Sequence, residues 1–240
     1  MDPNISNDWT INKIRDMENL YDKNNLIFWT EEEINIRKMA ETYFTSQLLK
    51  AVKKENRGFD MVQCEAPILT PNEMINPNYT DEDVFRTANG LTLRPETTIG
   101  SYEYVKHILN KHNERKFNFP LVVWQHGKSF RNEQDQVSKN MRLKEFYQLE
   151  FQILYSNTTM NDYSINLIPA VQKMISDMIG ECYTEESDRL PSYSEQTTDI
   201  VCKQNDMEVC SISKRTDFEG AKVLEIAIGT DRIVYNFLNK

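Results

Sequence analysis

Residues 121–156 carry side chains whose types and spacing suit a charged, flat ligand. Two apolar runs flank a polar stretch at 134–140, a pattern that predicts strand, loop and strand. Because side chains alternate between the faces of a strand, one sheet surface is predicted to carry Arg131, Glu133, Arg142, Phe146 and Glu150. Arginines bind phosphate or carboxylate oxygens, and carboxylates bind an ammonium group. The alternative is an ordinary solvated sheet face, which is what alternating charge on a strand usually means.

The elements that must position these residues begin with a long helix and a strand. Thr30 can cap the helix, and the three glutamates that follow it favour the positive end of the helix dipole. Apolar residues then recur at helical spacing, at Ile34, Ile36, Ala40, Phe44, Leu48 and Val52. After Arg57 and Gly58, residues 59–71 predict an extended strand interrupted by Pro67 and Pro71.

Later segments predict further strands and two helices. A turn at 88–90 leads through a short strand to Arg94-Pro95-Glu96-Thr97. Residues 164–181 predict an amphipathic helix with a break or kink at Pro169 and with inward Ile165, Ile168, Val171, Ile175 and Met178. Strand-like runs follow at 192–201 and 207–218. Residues 221–240 alternate and then turn at Gly229 into a helix capped by Thr230, which places Val223, Glu225, Ala227 and Gly229 on one face.

Composition narrows the class of protein. With 240 residues, 39% of them hydrophobic, the chain is long enough to bury a core. Its formal net charge of −9 is the wrong sign for a protein that coats itself in nucleic acid, although basic stretches lie at 50–57 and 106–116. The four cysteines form no CxxC pair, no apolar run could span a bilayer, and the first residues have no secretory pattern. A cytoplasmic protein without a membrane segment is expected.

Three ordered motifs resemble those of the class II aminoacyl-tRNA synthetases, most closely the glycyl subgroup. FRNE, the eleven-residue step from Arg131 to Arg142, RLKEF and Glu150 resemble motif 2. LRPETTIG at 93–100 is similar to LRPETAQG of the glycyl subgroup, and Glu225, Gly229, Asp231 and Arg232 match motif 3. The helix and strand at 30–71 resemble motif 1. The chain departs from the subgroup at three positions. It has Ile226 where the subgroup has Pro, Ala227 where the subgroup has Ser, and Cys210 or Ser211 where the subgroup has Gly.

The resemblance implies an α+β fold with a mainly antiparallel sheet flanked by helices. It covers a catalytic domain at 30–240, which leaves residues 1–29 as an N-terminal extension. Motif 1 forms the dimer interface in this family, so a homodimer through residues 34–71 is expected. The chain ends eight residues after Arg232, so a separate anticodon-binding domain is not expected.

The chemistry implied by the resemblance is activation of an amino acid by ATP to give an aminoacyl-adenylate and pyrophosphate. Arg131 and Arg232 are the expected catalytic residues. Arg131 bridges the carboxylate and the α-phosphate, and Arg142 and Arg232 hold the γ-phosphate. Phe146 stacks on adenine and Glu133 fixes that ring. Glu225, and less strongly Glu208, are the expected Mg²⁺ ligands.

The resemblance is less specific about which amino acid is activated and which acceptor receives it. Glu96 and Glu150 match the carboxylates that hold the α-ammonium, and Ala227 removes a hydroxyl from the same pocket. Glycine is the expected substrate, with alanine and serine left open. Three functions stay open: a minimal synthetase that charges the acceptor end of tRNA, an adenylate-forming paralogue with another acceptor such as a carrier protein, and a non-catalytic relative that binds nucleic acid or a partner.

Overall fold

A seven-stranded mixed sheet carries the candidate site. The computed structural model describes residues 24–111, 118–132, 141–158, 162–187 and 190–240. In chain order the elements are α1 (Glu31–Glu55), β1 (Asp60–Gln63), β2 (Leu69–Pro71), a 3₁₀ turn (Asn72–Met74), β3 (Phe85–Arg86), β4 (Leu91–Leu93), α2 (Thr98–Lys111), β5 (Leu121–Phe130), β6 (Glu145–Ser156), α3 (Ser164–Ile179), β7 (Cys182–Glu186), β8 (Ser194–Cys202), β9 (Met207–Arg215), β10 (Ala221–Gly229) and α4 (Thr230–Leu238).

The strand order of the large sheet is β1-β5-β6-β10-β9-β8-β7. Only the β1–β5 pair is parallel among the described strands, so the predicted mainly antiparallel α+β fold is confirmed. Helices α1, α3 and α4 pack on one face through the main apolar core, which includes Phe44, Phe151, Ile175, Ile226 and Ile233. The opposite face carries a smaller core under α2 and, beside it, the polar residues of the site.

The parity predicted for the central strands is confirmed. Leu149, Phe151 and Ile153 of β6 lie in the main core, as do Leu224, Ile226 and Ile228 of β10. Glu150 pairs with Ala227 and Gln152 with Glu225 across the two strands, so these polar side chains share the opposite face. Successive residues of each strand therefore alternate between the apolar core and the polar face of the sheet.

Helix α1 begins as predicted and packs differently from the expectation. Thr30 and Glu33 form a reciprocal capping box at its start. Its buried stripe runs from Ile36 to Val52, includes Arg37, and leaves Ile34 only half-buried. That stripe packs on the chain's own core, so the homodimer expected through residues 34–71 cannot use these apolar positions.

The single strand predicted at 59–71 is two strands in two sheets. β1 pairs with β5 in the large sheet, whereas β2 pairs with β4 in a three-stranded sheet of order β2-β4-β3. Between them, Arg94 Nη1 binds the Ala66 carbonyl at 2.7 Å, and the Arg94 backbone N–H donates to Ile68. The bend at Pro67 therefore brings the RPET segment to the edge of the large sheet.

Two details of the later helices correct the sequence prediction. α3 runs through Pro169, and its buried stripe includes Leu167, while Ile165 is 68% exposed. α4 has Gly229 as its N-cap with no side-chain cap. Thr230 is the first helical residue, and its hydroxyl donates to the Tyr147 carbonyl at 3.2 Å instead of capping.

Asp231 joins three elements at the start of α4. Its carboxylate accepts a hydrogen bond from the Tyr147 backbone N–H at 2.8 Å and pairs with Arg37 of α1 at 3.4 Å. These contacts fix the first turn of α4, and therefore Arg232, against β6. None of the helices in the described part of the chain is sufficiently long and apolar to cross a bilayer.

Candidate active site

A cavity of about 270 Å³ lies on the polar face of β6, β8, β9 and β10. Its wall contains every described residue that the sequence assigned to the site: Glu96, Arg131, Arg142, Phe146, Glu150, Glu208, Glu225, Ala227 and Arg232. Glu133, expected to fix the adenine, lies outside the described residues, as does the polar loop at 134–140. Residues more than a hundred positions apart in sequence therefore meet at one cavity.

Three carboxylates, those of Glu96, Glu150 and Glu225, form the acidic part of the cavity and are almost fully buried. Glu225 Oε2 accepts hydrogen bonds from Arg215 Nη1 at 2.8 Å, from Gln152 Nε2 at 2.8 Å and from the Thr98 hydroxyl. Three acidic groups in so little water make a strong field for a cation.

Glu150 is held by the start of α2. The hydroxyls of Thr97 and Thr98 contact its two carboxyl oxygens, and Gln152 Nε2 donates to Oε1 at 2.7 Å. Burial, followed by the charge of Glu225, raises the pKa of Glu150 to about 8, against the Thr97 and Thr98 hydrogen bonds that lower it. Thr98 Oγ1 contacts both carboxyl groups with a single proton. A neutral Glu150 that donates to Thr98, which in turn donates to Glu225, satisfies both contacts.

Glu96 presents an oxygen that accepts no hydrogen bond within the described chain. Its Oε2 accepts a hydrogen bond from the Tyr79 hydroxyl at 3.2 Å, whereas its Oε1 is buried without a hydrogen-bond partner. Burial raises the pKa of Glu96, while Arg215 lowers it. A buried acceptor without a hydrogen bond costs stability. Such an oxygen is typical of a group that accepts a hydrogen bond from a bound ligand.

Arg215 is the internal counter-ion of this cluster. It pairs with Glu225 at 2.8 Å and with Asp217, and lies 3.8 Å from Glu96. Its guanidinium covers the ring of Tyr193 at 3.9 Å. Burial alone would lower the pKa of Arg215, but Glu225, Asp217 and Glu96 raise it above its ordinary value. One fixed cation thus balances part of three carboxylates and leaves the cavity wall acidic.

Arg131 and Phe146 form the next part of the wall. Arg131 Nε donates to the Pro95 carbonyl at 3.0 Å, which ties the end of β5 to the RPET segment. Its guanidinium lies 5.3 Å from the Phe146 ring centre and 5.6 Å from that of Tyr79. The planar fork is therefore oriented between aromatic faces beside the acidic cluster.

Arg142 and Arg232 complete the basic part of the cavity. Arg232 Nη1 donates to the Glu208 carbonyl at 2.7 Å and lies 3.7 Å from the Glu208 carboxylate. Arg142 lies three residues before the start of β6 and lines the same wall. The cavity consequently has an acidic part around Glu150 and a basic part around these arginines, as a ligand with an ammonium and phosphates requires.

The magnesium ligands expected from the sequence do not fit this geometry. Glu225 is buried, and its Oε2 already accepts three hydrogen bonds, one of them from Arg215. Glu208 is close to Arg232. Within the described ranges, no group of three or more His, Cys, Asp and Glu side chains is arranged to hold a metal ion. The geometry favours Glu225 as a part of the ammonium-facing cluster.

Sequence reasoning named no role for several residues that hold this cluster: Tyr79, Thr97, Thr98, Gln152 and Arg215. Gln152 had a usable signal, since strand parity puts it on the same face as Glu150. Thr97 and Thr98 had none, because they reach Glu150 only through the packing of α2 against β6.

The fold and this site together define a class of protein, which the comparisons identify. Residues 79–231 match the family model described as "tRNA synthetase class II core domain (G, H, P, S and T)". The match covers more than half of the chain. The protein therefore belongs to the class II tRNA synthetase core-domain family.

Sequence relatives include glycine–tRNA ligases of several bacteria. That of Mesoplasma florum is 28% identical over 181 residues, which cover 71% of this chain and 38% of the relative. That of Macrococcus caseolyticus is 30% identical over 151 residues, or 57% of this chain and 32% of the relative. That of Staphylococcus aureus is 29% identical over 163 residues, or 59% and 33%. The chain spans about a third of the length of these curated relatives.

Solved structures share the fold at low identity. The cytoplasmic serine–tRNA ligase of Naegleria fowleri in complex with AMP superposes with a TM-score of 0.63 at 15% identity, over 88% of this chain and 49% of that one. The prolyl-tRNA synthetase of Cryptosporidium parvum, complexed with halofuginone and AMPPNP, gives 0.67 at 11% identity, over 89% and 47%. The class II synthetase fold expected from the sequence is thus confirmed.

Proposed function

We propose that this protein activates a small amino acid, glycine in the first place, by forming an aminoacyl-adenylate from ATP. The observation that supports it most is one cavity with opposite chemistry at its two parts. Three buried carboxylates, Glu96, Glu150 and Glu225, suit an α-ammonium, and Arg131, Arg142 and Arg232 suit phosphates. The Oε1 of Glu96, which is buried without a hydrogen bond, supports a ligand donor at the acidic part.

In the proposed reaction, a carboxylate oxygen of the amino acid attacks the α-phosphorus of ATP. A new bond forms from that oxygen to phosphorus as the bond to the β-phosphate oxygen breaks, and pyrophosphate leaves with the bonding pair. The nucleophile is already an anion, so no side chain has to remove a proton. The barrier comes from bringing two anions together, which positioning and positive charge reduce.

Each part of the cavity has a place in that reaction. Arg131 is proposed to bridge the carboxylate and the α-phosphate, since its fork lies beside Pro95 and next to Glu96. Phe146 is proposed to stack on adenine, and Arg142 and Arg232 to hold the γ-phosphate. Glu96 and Glu150 hold the ammonium, with Ala227 beside them. Mg²⁺ would supply positive charge to the phosphates, but Glu225 and Glu208 are not suited to hold it.

The acceptor is proposed to be the 3′ end of a tRNA, as in the glycine–tRNA ligases to which the chain is similar. A paralogue with another acceptor would use the same first half-reaction. A non-catalytic relative is less favoured, because a buried cluster of three carboxylates that Arg215 balances only in part costs stability without serving a ligand. A homodimer through residues 34–71 and a cytoplasmic location are part of the proposal.

ATP–pyrophosphate exchange across the twenty amino acids tests the proposal, because it reports adenylate formation without the acceptor. Exchange should depend on one small amino acid, with glycine the strongest. Aminoacylation of total tRNA with that amino acid then separates a synthetase from a paralogue. Lack of exchange with every amino acid, by protein that is folded, would contradict the proposed function.

A further inference from the structure

The side chain of Ser211 differs from the neighbouring hydroxyls of Thr98, Thr197 and Ser213 in the cavity wall. Thr98 is engaged with Glu150 and Glu225, and the hydroxyls of Thr197 and Ser213 bond each other at 3.0 Å. Ser211 Oγ lines the cavity with no hydrogen-bond partner among the residues that the structure describes. Its hydroxyl is therefore available to a ligand.

Strand register places Ser211 next to the acidic cluster. Glu150 of β6 pairs with Ala227 of β10, and Ala227 pairs with Ser211 of β9, so the three lie in one row across the sheet. Adjacent strands are about 4.8 Å apart, so the row from Glu150 to Ser211 spans roughly 10 Å of backbone. Directly opposite side chains have Cβ atoms about 5 Å apart, so Ala227 and Ser211 face the same space.

An α-ammonium has three N–H donors and needs three acceptors in a buried site. Glu96 Oε1 has no hydrogen bond. An ionised Glu150 supplies a second acceptor, because a carboxylate has about four lone-pair sites and Thr97, Thr98 and Gln152 make three contacts with it. Glu225 Oε2 already accepts hydrogen bonds from Arg215, Gln152 and Thr98, which leaves only its Oε1 for the ammonium, and Arg215 already balances the charge of this carboxylate. Ala227, between Glu150 and Ser211 in the row, offers a methyl group and no acceptor.

We infer that Ser211 Oγ is the neutral hydrogen-bond acceptor for the α-ammonium of the small amino acid, and thus a specificity-determining residue of this chain. The inference rests on the proposed function. The hydroxyl reaches the ligand from β9, because the directly paired position on β10 is an alanine. Since positions 211 and 227 face the same space, a serine at position 227 can accept the same hydrogen bond from the ammonium as Ser211 does.

The experiment compares wild type with Ser211→Ala and with the double variant Ser211→Ala/Ala227→Ser. Initial rates of ATP–pyrophosphate exchange are measured against glycine, alanine and serine, and against ATP. Ser211→Ala should raise the KM for the supporting amino acid roughly tenfold, on the scale of one hydrogen bond to a charged group, and leave the KM for ATP unchanged. The double variant should recover most of that loss.

Ser156→Ala, a hydroxyl deletion at the far end of β6 and outside the cavity, is the matched control and should change neither KM. Thermal melts verify that each variant is folded. An unchanged KM for the amino acid in Ser211→Ala, or an equal rise of the KM values for the amino acid and for ATP, would overturn the inference. The proposed function would still be supported, because it depends on the exchange activity of the wild type.

Calorimetric titration with glycine still tests the inference about Ser211 if the wild type shows no exchange activity. That result contradicts the proposed function, whereas weaker glycine binding by Ser211→Ala than by wild type would still support the inference about Ser211. Equal glycine binding by both proteins, or none by either, would overturn it.

Discussion

The guanidinium of Arg215 and the carboxylate of Glu225 form an ion pair of 2.8 Å beneath the cavity, with both side chains almost entirely buried. Breaking such a pair from one side leaves a buried charge unbalanced, which typically costs about 3–5 kcal/mol. The pair is therefore a structural requirement of the acidic cluster as well as a part of its electrostatics.

Arg215→Met should accordingly lower the free energy of unfolding by about 3–5 kcal/mol, as measured by urea denaturation. Arg86→Met is the matched control, because Arg86 pairs with Asp81 at the surface and such pairs contribute about 1 kcal/mol or less. Equal losses in the two variants would show that Arg215 does not balance the buried carboxylates.

Glu150 gives a prediction about pH and stability. Its pKa is raised to about 8 in the folded protein, so the folded state keeps a proton that the unfolded chain releases above its ordinary value of 4.5. The stabilisation is full below that ordinary value and is lost as the pH rises through 8. Glu150→Gln, which cannot ionise, should remove this decline between pH 5 and 8 and should be more stable than wild type at pH 8.

Denaturation curves across that pH range provide the measurement. Glu145→Gln, on the same strand and partly exposed, is the control and should retain the pH dependence of the wild type. If Glu150→Gln lost stability with rising pH as steeply as wild type does, the buried neutral carboxyl group would be ruled out.

The same carboxyl groups are predicted to bind the ammonium. Glu96→Gln and Glu150→Gln should each weaken amino-acid binding by about 1.5–3 kcal/mol, since each removes a charge-assisted hydrogen bond, and ATP binding should not change. Binding to wild type should also release protons below pH 8, because the ammonium favours the ionised form of Glu150. Calorimetry in buffers of different ionisation enthalpy measures both effects, and parallel losses for amino acid and ATP would argue against an ammonium subsite.

The sequence could predict much of this site because strand parity is a strict period. Glu150 and Glu225 are placed correctly by counting in twos from the core residues beside them. Helical phase is also informative, but the prediction that Ile165 points inward is wrong. Ile165 lies two residues, or roughly 200°, from Leu167 on the buried stripe. The contact of Arg94 with the Ala66 carbonyl and that of Thr98 with Glu150 could not be predicted. Both depend on how residues 59–71 divide between two sheets and on how α2 packs over β6.

The homodimer expected through residues 34–71 has a defined test. The inner stripe of α1 is used by the chain's own core, but Met39, Leu49, Ile68 and Leu69 are exposed in this segment, and β1 is an edge strand. Sedimentation at micromolar concentration should show a dimer, and Leu49→Lys together with Ile68→Lys should dissociate it.

Ile165→Lys is the control for that experiment, because Ile165 is an exposed apolar residue on α3 and not part of the segment. A wild-type monomer, or dissociation by the control alone, would refute an interface at residues 34–71.

Amino-acid-dependent ATP–pyrophosphate exchange by wild type and Arg131→Ala tests the central claim most directly. Arg131 lies at the cavity wall and not in the apolar core, so the variant should fold. Losing its contact to the charge that develops on the α-phosphate should reduce exchange by about a hundredfold or more. Glycine-dependent exchange by wild type and its near loss in the variant is the predicted result; folded Arg131→Ala with near-normal exchange would contradict the account.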